Sequence, residues 1–585
     1  METMLDLFTP GTSPGPSQTT VALVQSAESP EQRATRRIQA VLRAGHPVVL
    51  AMSGGKDSAA LVNLALNSAR AMVDEGDIVP PIVIVHSDTL VELPDLRRLV
   101  DTDLKKVQAY GDRNGLQVLT RVARPTLSDS FPVRVIGGRA LPSFPDTHAD
   151  CSTQWKRLPN ERVTRKAFEE LNSQGLWKPP VLMTGVRAAE SNARDARIAH
   201  RGEVAEGIWV NDLGALRASP ILDFDVDSVW EYLGLCAAGV IPAYSDFAET
   251  MRIYRDAGGS SCVIVADMKL QGQSKPCSAR TGCWICTKVK TDHSATQMMA
   301  SNPERNGWLK PLNDLRNFIS HTQYDWTRRH YVMRTIDKDG FITIGPDTYS
   351  PAMLQELLRY ALSAQVVTGH QIISIRQLVA IDARWSIYAM CPPFTALKIF
   401  REVEAGQITL APDVPRSPKT PVPRIGKIYV GESWAKAIGQ DSLSGLRDIG
   451  AEMFHETCGP GLRQIKDGSL VIDMEGGLEF DVDEQGAYDF LEFIADDKIR
   501  NYCRPDCVDW TWGYKTYLQY GTLNVPKGRS SMTHEILQRS QWRQANSLHG
   551  QQDPAELAKR CTLLHEAAKS APTPVDETQP PLFSQ

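Results

Sequence analysis

Short apolar runs and longer amphipathic stretches alternate along the first third of the chain. The runs have the length of buried strands, and they are Pro47–Met52, Pro81–His86, Leu116–Val122 and Val181–Gly185. The stretches place apolar residues at helical spacing, and they are Glu31–Ala44, Ala59–Val73 and Leu96–Asn114. Strands that alternate with helices predict an α/β fold with an open, mostly parallel sheet.

The remainder of the chain has a less regular pattern. We expect a turn and a helix at Pro220–Leu233, a cysteine-rich stretch at Tyr254–Asp292, and mostly helical structure over Leu312–Phe400 with a turn at Asp337–Gly340. The predicted division is a disordered N-terminus (1–30), an α/β domain (31–250), a cysteine-rich region with a helical extension (251–410), a proline-rich linker (411–424), a separate C-terminal domain (425–569) and a disordered tail (570–585).

The sequence Ser53-Gly54-Gly55-Lys56-Asp57-Ser58 directly follows the first apolar run. A glycine turn between a strand and a helix directs backbone N–H groups at the positive end of the helix dipole, which favours phosphate. The glycines allow close approach and a positive φ, Lys56 adds a positive charge, and the two serines add hydroxyl groups. A Walker A loop is excluded, because it requires glycine at Leu50 and Ser or Thr at Asp57.

The composition and net charge indicate which kind of protein this is and which ligands it can attract. Apolar residues make up 42% and charged residues 23% of the 585 residues, as in soluble globular proteins. Because the net charge is −5, any nucleic-acid contact needs a local basic face. No apolar stretch is long enough to span a bilayer, and the N-terminus lacks a signal pattern. We therefore expect a cytoplasmic protein that does not contact membranes.

Four of the eleven cysteines lie within 25 residues, at Cys262, Cys277, Cys283 and Cys286. Four thiolates can hold zinc or an iron–sulfur cluster, and their spacing leaves the two metals open. Four unrelated buried cysteines are the alternative. The odd total argues against a disulfide framework. Cys503 and Cys507 would supply only two metal ligands, and core packing is expected for Cys236, Cys391, Cys458 and Cys561.

The phosphate loop resembles the PP-loop of ATP pyrophosphatases, which split ATP between its α and β phosphates and adenylate a substrate. The wider pattern resembles the DndC family, the sulfurtransferases of bacterial DNA phosphorothioation, which are relatives of phosphoadenylyl-sulfate reductase. Besides the loop, the matching segments are Ser87–Glu92, Cys151–Lys156, Gly185–Ser191, Tyr254–Cys262 and Cys277–Thr287. They extend over roughly Ala44–Leu362, and the sequence after about residue 410 matches no family pattern.

This resemblance implies a PP-loop ATP-pyrophosphatase fold (adenine nucleotide alpha-hydrolase-like) and the cofactors ATP, Mg²⁺ and a [4Fe–4S] cluster. Residues Ser53 to Ser58, with Gly185 and Arg187, would bind the nucleotide, and Cys262, Cys277, Cys283 and Cys286 would hold the cluster. The implied partners are DNA, a cysteine desulfurase as sulfur donor, and other subunits of a DNA modification complex.

Several candidate site residues have more than one possible role. Asp57 is an indirect magnesium partner or a helix N-cap, and Asp88 faces the nucleotide or magnesium or is a turn residue. Arg187 clamps phosphate, oriented by Glu190, or forms a surface ion pair. Cys151 carries persulfide sulfur, replaces Cys277 as a ligand, or is a buried structural cysteine.

Basic and aromatic residues elsewhere are candidates for nucleic-acid contact. Arg134, Arg139 and Lys156 could hold a phosphodiester or form a solvated face. In the C-terminal part, aromatic rings with interspersed cations could stack on bases, or the rings could form a core under a solvated face. These residues are Trp510, Trp512, Tyr514, Lys515, Arg529, Arg539 and Arg543.

The leading hypothesis from the sequence is an ATP-dependent DNA sulfurtransferase. A tRNA thiolation enzyme is an alternative, although no tRNA-binding module is recognisable. A sulfonucleotide reductase is another, although such enzymes usually vary the phosphate loop. A non-catalytic, nucleotide-sensing subunit of a phage-defence complex is the alternative of a different class.

Overall fold

The structure is a computed structural model. It describes residues 28–147, 149–173, 175–188, 198–211, 214–258, 282–336, 341–429, 462–464, 470–472, 480–526 and 530–561.

A six-stranded sheet forms the first half of the fold. Its strands are β1 (Val48–Met52), β2 (Ile82–Ser87), β3 (Val118–Ala123), β4 (Val181–Met183), β5 (Trp209–Val210) and β6 (Leu216–Ala218). They lie in the order β3-β2-β1-β4-β6-β5, and all neighbours are parallel except β5 and β6. The predicted α/β fold with an open, mostly parallel sheet is confirmed.

Helices cover both faces of this sheet, because its strands are apolar on both sides. Val48, Leu50 and Met52 pack with α1 (Pro30–Arg43), α2 (Lys56–Asp74), α3 (Pro94–Arg113) and α6 (Val226–Ala237). Val49 and Val83 pack with α5 (Leu158–Leu171), which follows the single turn α4 (Asp150–Ser152). The carboxyl ends of β1 and β2 therefore lie side by side at one edge, where ligands bind in such sheets.

The remaining helices are α7 (Ala248–Gly258), α8 (His293–Ser301), α9 (Pro303–Asn306), α10 (Lys310–His321), α11 (Pro351–Thr368), α12 (Ile375–Ile387), α13 (Thr395–Glu404), α14 (Glu484–Phe493), α15 (Ala495–Tyr502), α16 (Trp512–Gln519) and α17 (Ser530–Ala545). The remaining strands are β7 (Arg329–Ile336), β8 (Phe341–Tyr349), β9 (Gly426–Tyr429), β10 (Leu462–Gln464), β11 (Leu470–Ile472), β12 (Asp481–Val482) and β13 (Leu523–Asn524).

The expectation of mostly helical structure over Leu312–Phe400 is wrong for its middle part. β7 and β8 form an antiparallel pair there, and β9 adds a third antiparallel strand. Ile342, Thr343 and Ile344 of β8 are β-branched, which is a strand signal. Burial alternates along the start of the strand, with Ile342 and Ile344 buried. The turn predicted at Asp337–Gly340 lies outside the described residues.

The C-terminal region shares a hydrophobic core with the helices that precede it. Leu357 and Trp385 belong to the same buried cluster as Phe490 and Tyr517. The Tyr517 hydroxyl donates to the buried carboxylate of Asp382 over 2.9 Å. The region is thus joined to the helical extension, and the domain boundaries given above stay a prediction.

The proline-rich segment 411–424 lies against the protein surface, and we call it the strap. The Ser417 N–H donates to the His321 carbonyl over 2.7 Å, and the Tyr324 N–H donates to the Ser417 hydroxyl over 3.0 Å. Arg416 donates to the Lys290 carbonyl over 3.0 Å, and Lys419 pairs with Asp146 at 2.8 Å.

Among the helices of the described residues, none has the length and apolarity needed to cross a membrane.

Candidate functional site

The turn between β1 and α2 has the geometry of a phosphate-binding loop. Gly54 has φ +75°, and a Cβ there would lie 2.6 Å from Cγ2 of Val100 and 2.8 Å from Cδ1 of Leu96. Only glycine therefore fits both the backbone conformation and the contact with α3. Gly55 is the N-cap of α2 and provides no side-chain cap, so no cap side chain occupies the first-turn N–H groups that can bind an anion.

The two serines stabilise the loop from inside. The Ser53 N–H donates to the Ser58 hydroxyl over 3.2 Å, and the Gly55 N–H donates to the Ser53 hydroxyl over 3.3 Å. The Ser58 hydroxyl donates to the Gly55 carbonyl over 2.8 Å, and the two hydroxyl oxygens are 3.1 Å apart. This closed network holds the loop in one shape before any ligand binds.

Asp57 holds two cations at the mouth of the loop. Its Oδ1 accepts from Nε of Arg187 over 2.6 Å, and its Oδ2 lies 3.1 Å from Nζ of Lys56. Lys56 also lies 5.2 Å from the ring centre of Tyr254, whose hydroxyl accepts from the Lys56 N–H over 3.4 Å. The carboxylate thus orients a lysine and an arginine, and it is not the N-cap that the sequence left open.

Gly185 lies against the first turn of α2. A Cβ at Gly185 would be 2.9 Å from the Asp57 carbonyl oxygen and 3.2 Å from the Ser58 nitrogen. Because the nearest atoms belong to the backbone, no side chain can be accommodated there without moving the loop. The segment after β4 therefore places Arg187 at Asp57.

Asp88 follows β2 and is 2% exposed. Its Oδ1 accepts from the Leu90 N–H over 3.0 Å. Its Oδ2 lies 2.9 Å from Nε of Arg124 and 3.0 Å from Nη2 of Arg97. These contacts are made by both carboxylate oxygens, and a role of Asp88 towards nucleotide or magnesium stays a prediction.

The loop after β2 connects the phosphate loop to the cysteine-rich segment. Nδ1 of His86 is 2.9 Å from the carbonyl of Met52, the last residue of β1, and Nε2 is 3.4 Å from Oε2 of Glu92. Burial disfavours the charged imidazole, but Glu92 and the Met52 carbonyl outweigh it and raise the pKa of His86. Glu92 in turn forms a β-bridge with Cys283.

Cys283 and Cys286 lie in a tight turn beside that loop. The Cys286 N–H donates to the Cys283 carbonyl over 3.0 Å, and Sγ of Cys283 is 3.5 Å from the Thr89 hydroxyl. Burial raises the pKa of the Cys283 thiol to about 11, with partial compensation from Lys156 and Thr89. Arg316 donates from Nε to the Cys286 carbonyl over 2.8 Å, so an arginine fixes the end of the turn.

Ser143 and Phe144, which precede Cys151 in the sequence, are tied to the same turn. The Thr287 hydroxyl donates to the Ser143 carbonyl over 2.8 Å, and Lys288 donates to the Phe144 carbonyl over 2.9 Å. Cys151 is half-buried and packs on the hydrophobic cluster that Cys283 also contacts. Its role as sulfur carrier, ligand or structural cysteine stays a prediction.

The predicted cluster ligands are only partly within the described residues. Cys283 and Cys286 form a Cys-x-x-Cys turn, a donor pair that suits zinc and iron–sulfur clusters. Cys262, Cys277 and the predicted Arg187 partner Glu190 lie outside the described residues. Within the described ranges, no set of three or more His, Cys, Asp or Glu side chains is arranged to hold a metal ion.

The basic and aromatic candidates have other contacts. Arg134 pairs with Asp129 at 3.2 Å, and Arg139 donates to the Tyr388 hydroxyl over 3.1 Å. Tyr514 is fully buried and Trp510 is 7% exposed, so these rings belong to the core. In the C-terminal set, Lys515 pairs with Asp509, and Arg543 donates to the Met333 carbonyl. Trp512 is exposed, and Arg529 lies outside the described residues.

Sequence reasoning missed Tyr254, His86, Arg97 and Arg124 as neighbours of the site. Tyr254 reaches Lys56 from a position 198 residues further along the chain. The signal available was position: His86 ends one predicted strand, and Arg124 lies two residues after another, and residues at strand ends in parallel sheets face the ligand edge.

Comparisons with known proteins agree with this geometry. Residues 47–289 match the family model described as phosphoadenosine phosphosulfate reductase domain. The matched stretch contains the phosphate loop, Asp88, Cys151, Arg187 and the Cys283–Cys286 turn. This part of the chain is therefore similar to that family. No curated protein matches the sequence.

Two solved structures are similar to parts of the chain. The phosphoadenylyl-sulfate (PAPS) reductase of Candida auris in a phosphate complex has 13% identity and a TM-score of 0.21, over 38% of this chain and 84% of that chain. The FMN adenylyltransferase of Candida glabrata in complex with FMN and the ATP analogue AMPCPP has 15% identity and a TM-score of 0.19, over 35% of this chain and 55% of that chain.

Proposed function

We propose that the chain is an ATP pyrophosphatase and sulfurtransferase that acts on a nucleic-acid backbone, with DNA phosphorothioation as the reaction. The observation that carries the proposal is the phosphate loop, in which Gly54, Gly55 and the start of α2 form an anion site flanked by Lys56 and Arg187. Both cations are held by one carboxylate, so they are positioned before the nucleotide arrives.

The loop would stabilise the leaving pyrophosphate. An acceptor oxygen attacks the α-phosphorus of ATP, the new P–O bond forms, and the bond between the α-phosphorus and the bridging oxygen breaks with its electrons moving onto pyrophosphate. Negative charge then develops on the β-phosphate, where the first-turn N–H groups of α2 and the Lys56 ammonium can stabilise it. The products are pyrophosphate and an adenylated acceptor, from which a sulfur nucleophile displaces AMP.

Magnesium would be held mainly by the nucleotide. Asp57 and Asp88, the acidic residues of the site, are already paired with cations. Mg²⁺ commonly keeps several water ligands and binds phosphate oxygens directly. We therefore assign it to the ATP phosphates, with Asp57 as an indirect partner.

The cysteine turn supports the sulfur part of the proposal. Cys283 lies 3.5 Å from Thr89, which follows Asp88 at the end of β2, next to the phosphate loop at the end of β1. Cys283 and Cys286, with Cys262 and Cys277, would hold a [4Fe–4S] cluster, which supplies redox and Lewis-acid chemistry to sulfur when bound. DNA, a cysteine desulfurase and other modification subunits are the proposed partners.

The decisive variant is Lys56→Ala. We expect pyrophosphate release from ATP to fall about a hundredfold or more, because a transition-state contact to phosphate is lost. The matched control is Lys105→Ala, since Lys105 is an exposed lysine on the neighbouring helix α3. Unchanged pyrophosphate release by folded Lys56→Ala protein would refute the assignment of the loop.

The cluster is tested separately by Cys286→Ser. We expect anaerobically prepared protein to lose iron and its visible absorption, because a hydroxyl is a poor ligand for iron. Cys236→Ser is the control, since the buried Cys236 packs among residues of the α/β core, remote in sequence from the turn. Wild-type protein with stoichiometric zinc and no iron would contradict the iron–sulfur assignment.

A sulfonucleotide reductase is the second candidate, and the match to the phosphoadenosine phosphosulfate reductase family model favours it. Such an enzyme would release sulfite from phosphoadenylyl sulfate in the presence of a thiol reductant. The two candidates are separated by assaying sulfite from that compound and pyrophosphate from ATP in parallel.

A further inference from the structure

One buried carboxylate holds two partly exposed arginines at the ligand edge of the sheet. Asp88 is 2% exposed, and its Oδ2 lies 2.9 Å from Nε of Arg124 and 3.0 Å from Nη2 of Arg97. The arginine side chains are 53% and 39% exposed. One cation would neutralise the carboxylate, so the group has a surplus positive charge that faces solvent.

Backbone hydrogen bonds fix the positions of Asp88 and the two arginines. The Asp88 N–H donates to the Ala123 carbonyl over 2.9 Å, which extends the pairing of β2 with β3 by one residue. Arg124 follows directly, and Arg97 lies in the first turn of α3, where its N–H donates to the Leu93 carbonyl over 3.0 Å. Throughout the described part of the chain, neither guanidinium has another hydrogen-bond or ion-pair partner. Their remaining N–H donors are therefore available to a ligand.

The group lies at strand ends other than those that carry the phosphate loop and Arg187. In the order of the strands along the ligand edge, Arg124 follows β3 and Thr89 follows β2, with Cys283 in contact with Thr89. The phosphate loop follows β1, and Arg187 follows β4. Adjacent strands are about 4.8 Å apart. Lys56 and Arg187 thus lie on the β1–β4 side, whereas Asp88 and Arg124 follow β2 and β3, next to Thr89 and the cysteine turn.

We propose that Arg97 and Arg124, held by Asp88, bind a phosphodiester of the acceptor nucleic acid next to the cysteine turn. The proposal rests on the proposed function and names the subsite for its acceptor. Guanidinium groups match two phosphate oxygens at once. With a net charge of −5 on the whole chain, such a local basic group is what attracts a polyanion.

The test measures binding of a short DNA duplex by fluorescence anisotropy across a salt series. For Arg124→Gln and Arg97→Gln we expect several-fold weaker binding at about 0.1 M salt, with the slope of log affinity against log salt reduced by about one for each variant. The matched control is Arg121→Gln, which removes an arginine of the same strand that pairs with Glu170 at 2.7 Å. Equal affinities and slopes for all three variants would overturn the proposal.

Two further measurements refine the test. The first asks whether Arg124 acts through its two-pronged guanidinium or only through its charge, and the second asks whether the ligand is a nucleic acid or a small anion. Arg124→Lys keeps a cation at Asp88, so its salt slope should match that of the wild type while its affinity falls, because the fork of donors is lost. If inorganic phosphate binds through Arg124 and the duplex does not, the ligand is a small anion and the nucleic-acid assignment fails. Wild-type protein that binds DNA through these arginines but releases no pyrophosphate from ATP would refute the proposed function and leave this subsite standing.

Discussion

The phosphate loop and the C-terminal region differ in how far along the chain their contacts reach. In the loop, the two serine hydroxyls meet across five residues, and Lys56 pairs with the adjacent Asp57. In the C-terminal region, Tyr517 donates to Asp382 across 135 residues, and β9 pairs with β8 across the strap. The internal hydrogen bonds of the loop are thus contained in a short motif, although Asp57 and Lys56 at its mouth also contact the distant Arg187 and Tyr254. The C-terminal region is specified by packing that no local pattern contains.

The phosphate loop and the C-terminal region also differ in which side chains and backbone groups are available to a ligand. The loop leaves polar groups available to a ligand, because its cap is a glycine and its cations share one carboxylate. Of the C-terminal aromatic residues that suggested base stacking, Trp510 and Tyr514 have their rings in the core, and only Trp512 is exposed. A cluster of aromatic residues in sequence is therefore weaker evidence for a binding surface than a glycine turn after a strand.

The largest expected effect tests whether the loop depends on its close packing against α3. Gly54→Ala places a methyl group 2.6 Å from Val100 and 2.8 Å from Leu96, at a residue with φ +75°. We expect pyrophosphate release to fall about a hundredfold or more, since the loop must move away from α3. Steady-state assay of pyrophosphate release measures this.

Gly45→Ala is the matched control for that variant. Gly45 also has a positive φ, +84°, but a Cβ there would meet no atom within 4 Å. We expect a loss of about 1–2 kcal/mol in stability and an unchanged rate. Equal rates in the two variants would show that close packing of the loop on α3 is not required.

The sheet and the phosphate loop could be predicted because their signals are local. The run Val48–Met52, the glycines and the helical spacing after them stand next to one another in the sequence. The Ser87–Glu92 motif could be placed at a strand end, but its contact with Cys283 could not be derived, because a β-bridge between positions so far apart depends on the folded core. The β7–β8 pair was missed although the β-branched run Ile342–Ile344 is visible in the sequence, since the helical patterns on either side outweigh so short a run.

A smaller effect tests whether the C-terminal region is part of the same folding unit as the helices before it. Tyr517→Phe removes the donor to the buried Asp382 over 2.9 Å. We expect the free energy of unfolding to fall by about 1–3 kcal/mol in one cooperative transition, because a buried acceptor loses a partner. Tyr520→Phe, at a half-exposed ring at the end of the same helix, should change it little. Two separate transitions in urea, of which only one responds to Tyr517→Phe, would instead support an independent C-terminal domain.

The smallest effect concerns the strap that joins the two regions. Its composition predicts a freely accessible linker, but the Ser417 hydroxyl donates to the His321 carbonyl over 2.7 Å and accepts from the Tyr324 N–H over 3.0 Å. Ser417→Ala should cost about 1 kcal/mol of local stability, and trypsin should then cut at Lys419 about five times faster, because cleavage follows the population of the opened strap. Asp413→Ala, at an exposed position of the same segment, should leave the cleavage rate unchanged. The initial cleavage rate, followed by gel electrophoresis, measures this difference. If wild-type protein and both variants are cut equally fast, the strap is open in solution, and the contacts of Ser417 do not hold the C-terminal region to the rest of the chain.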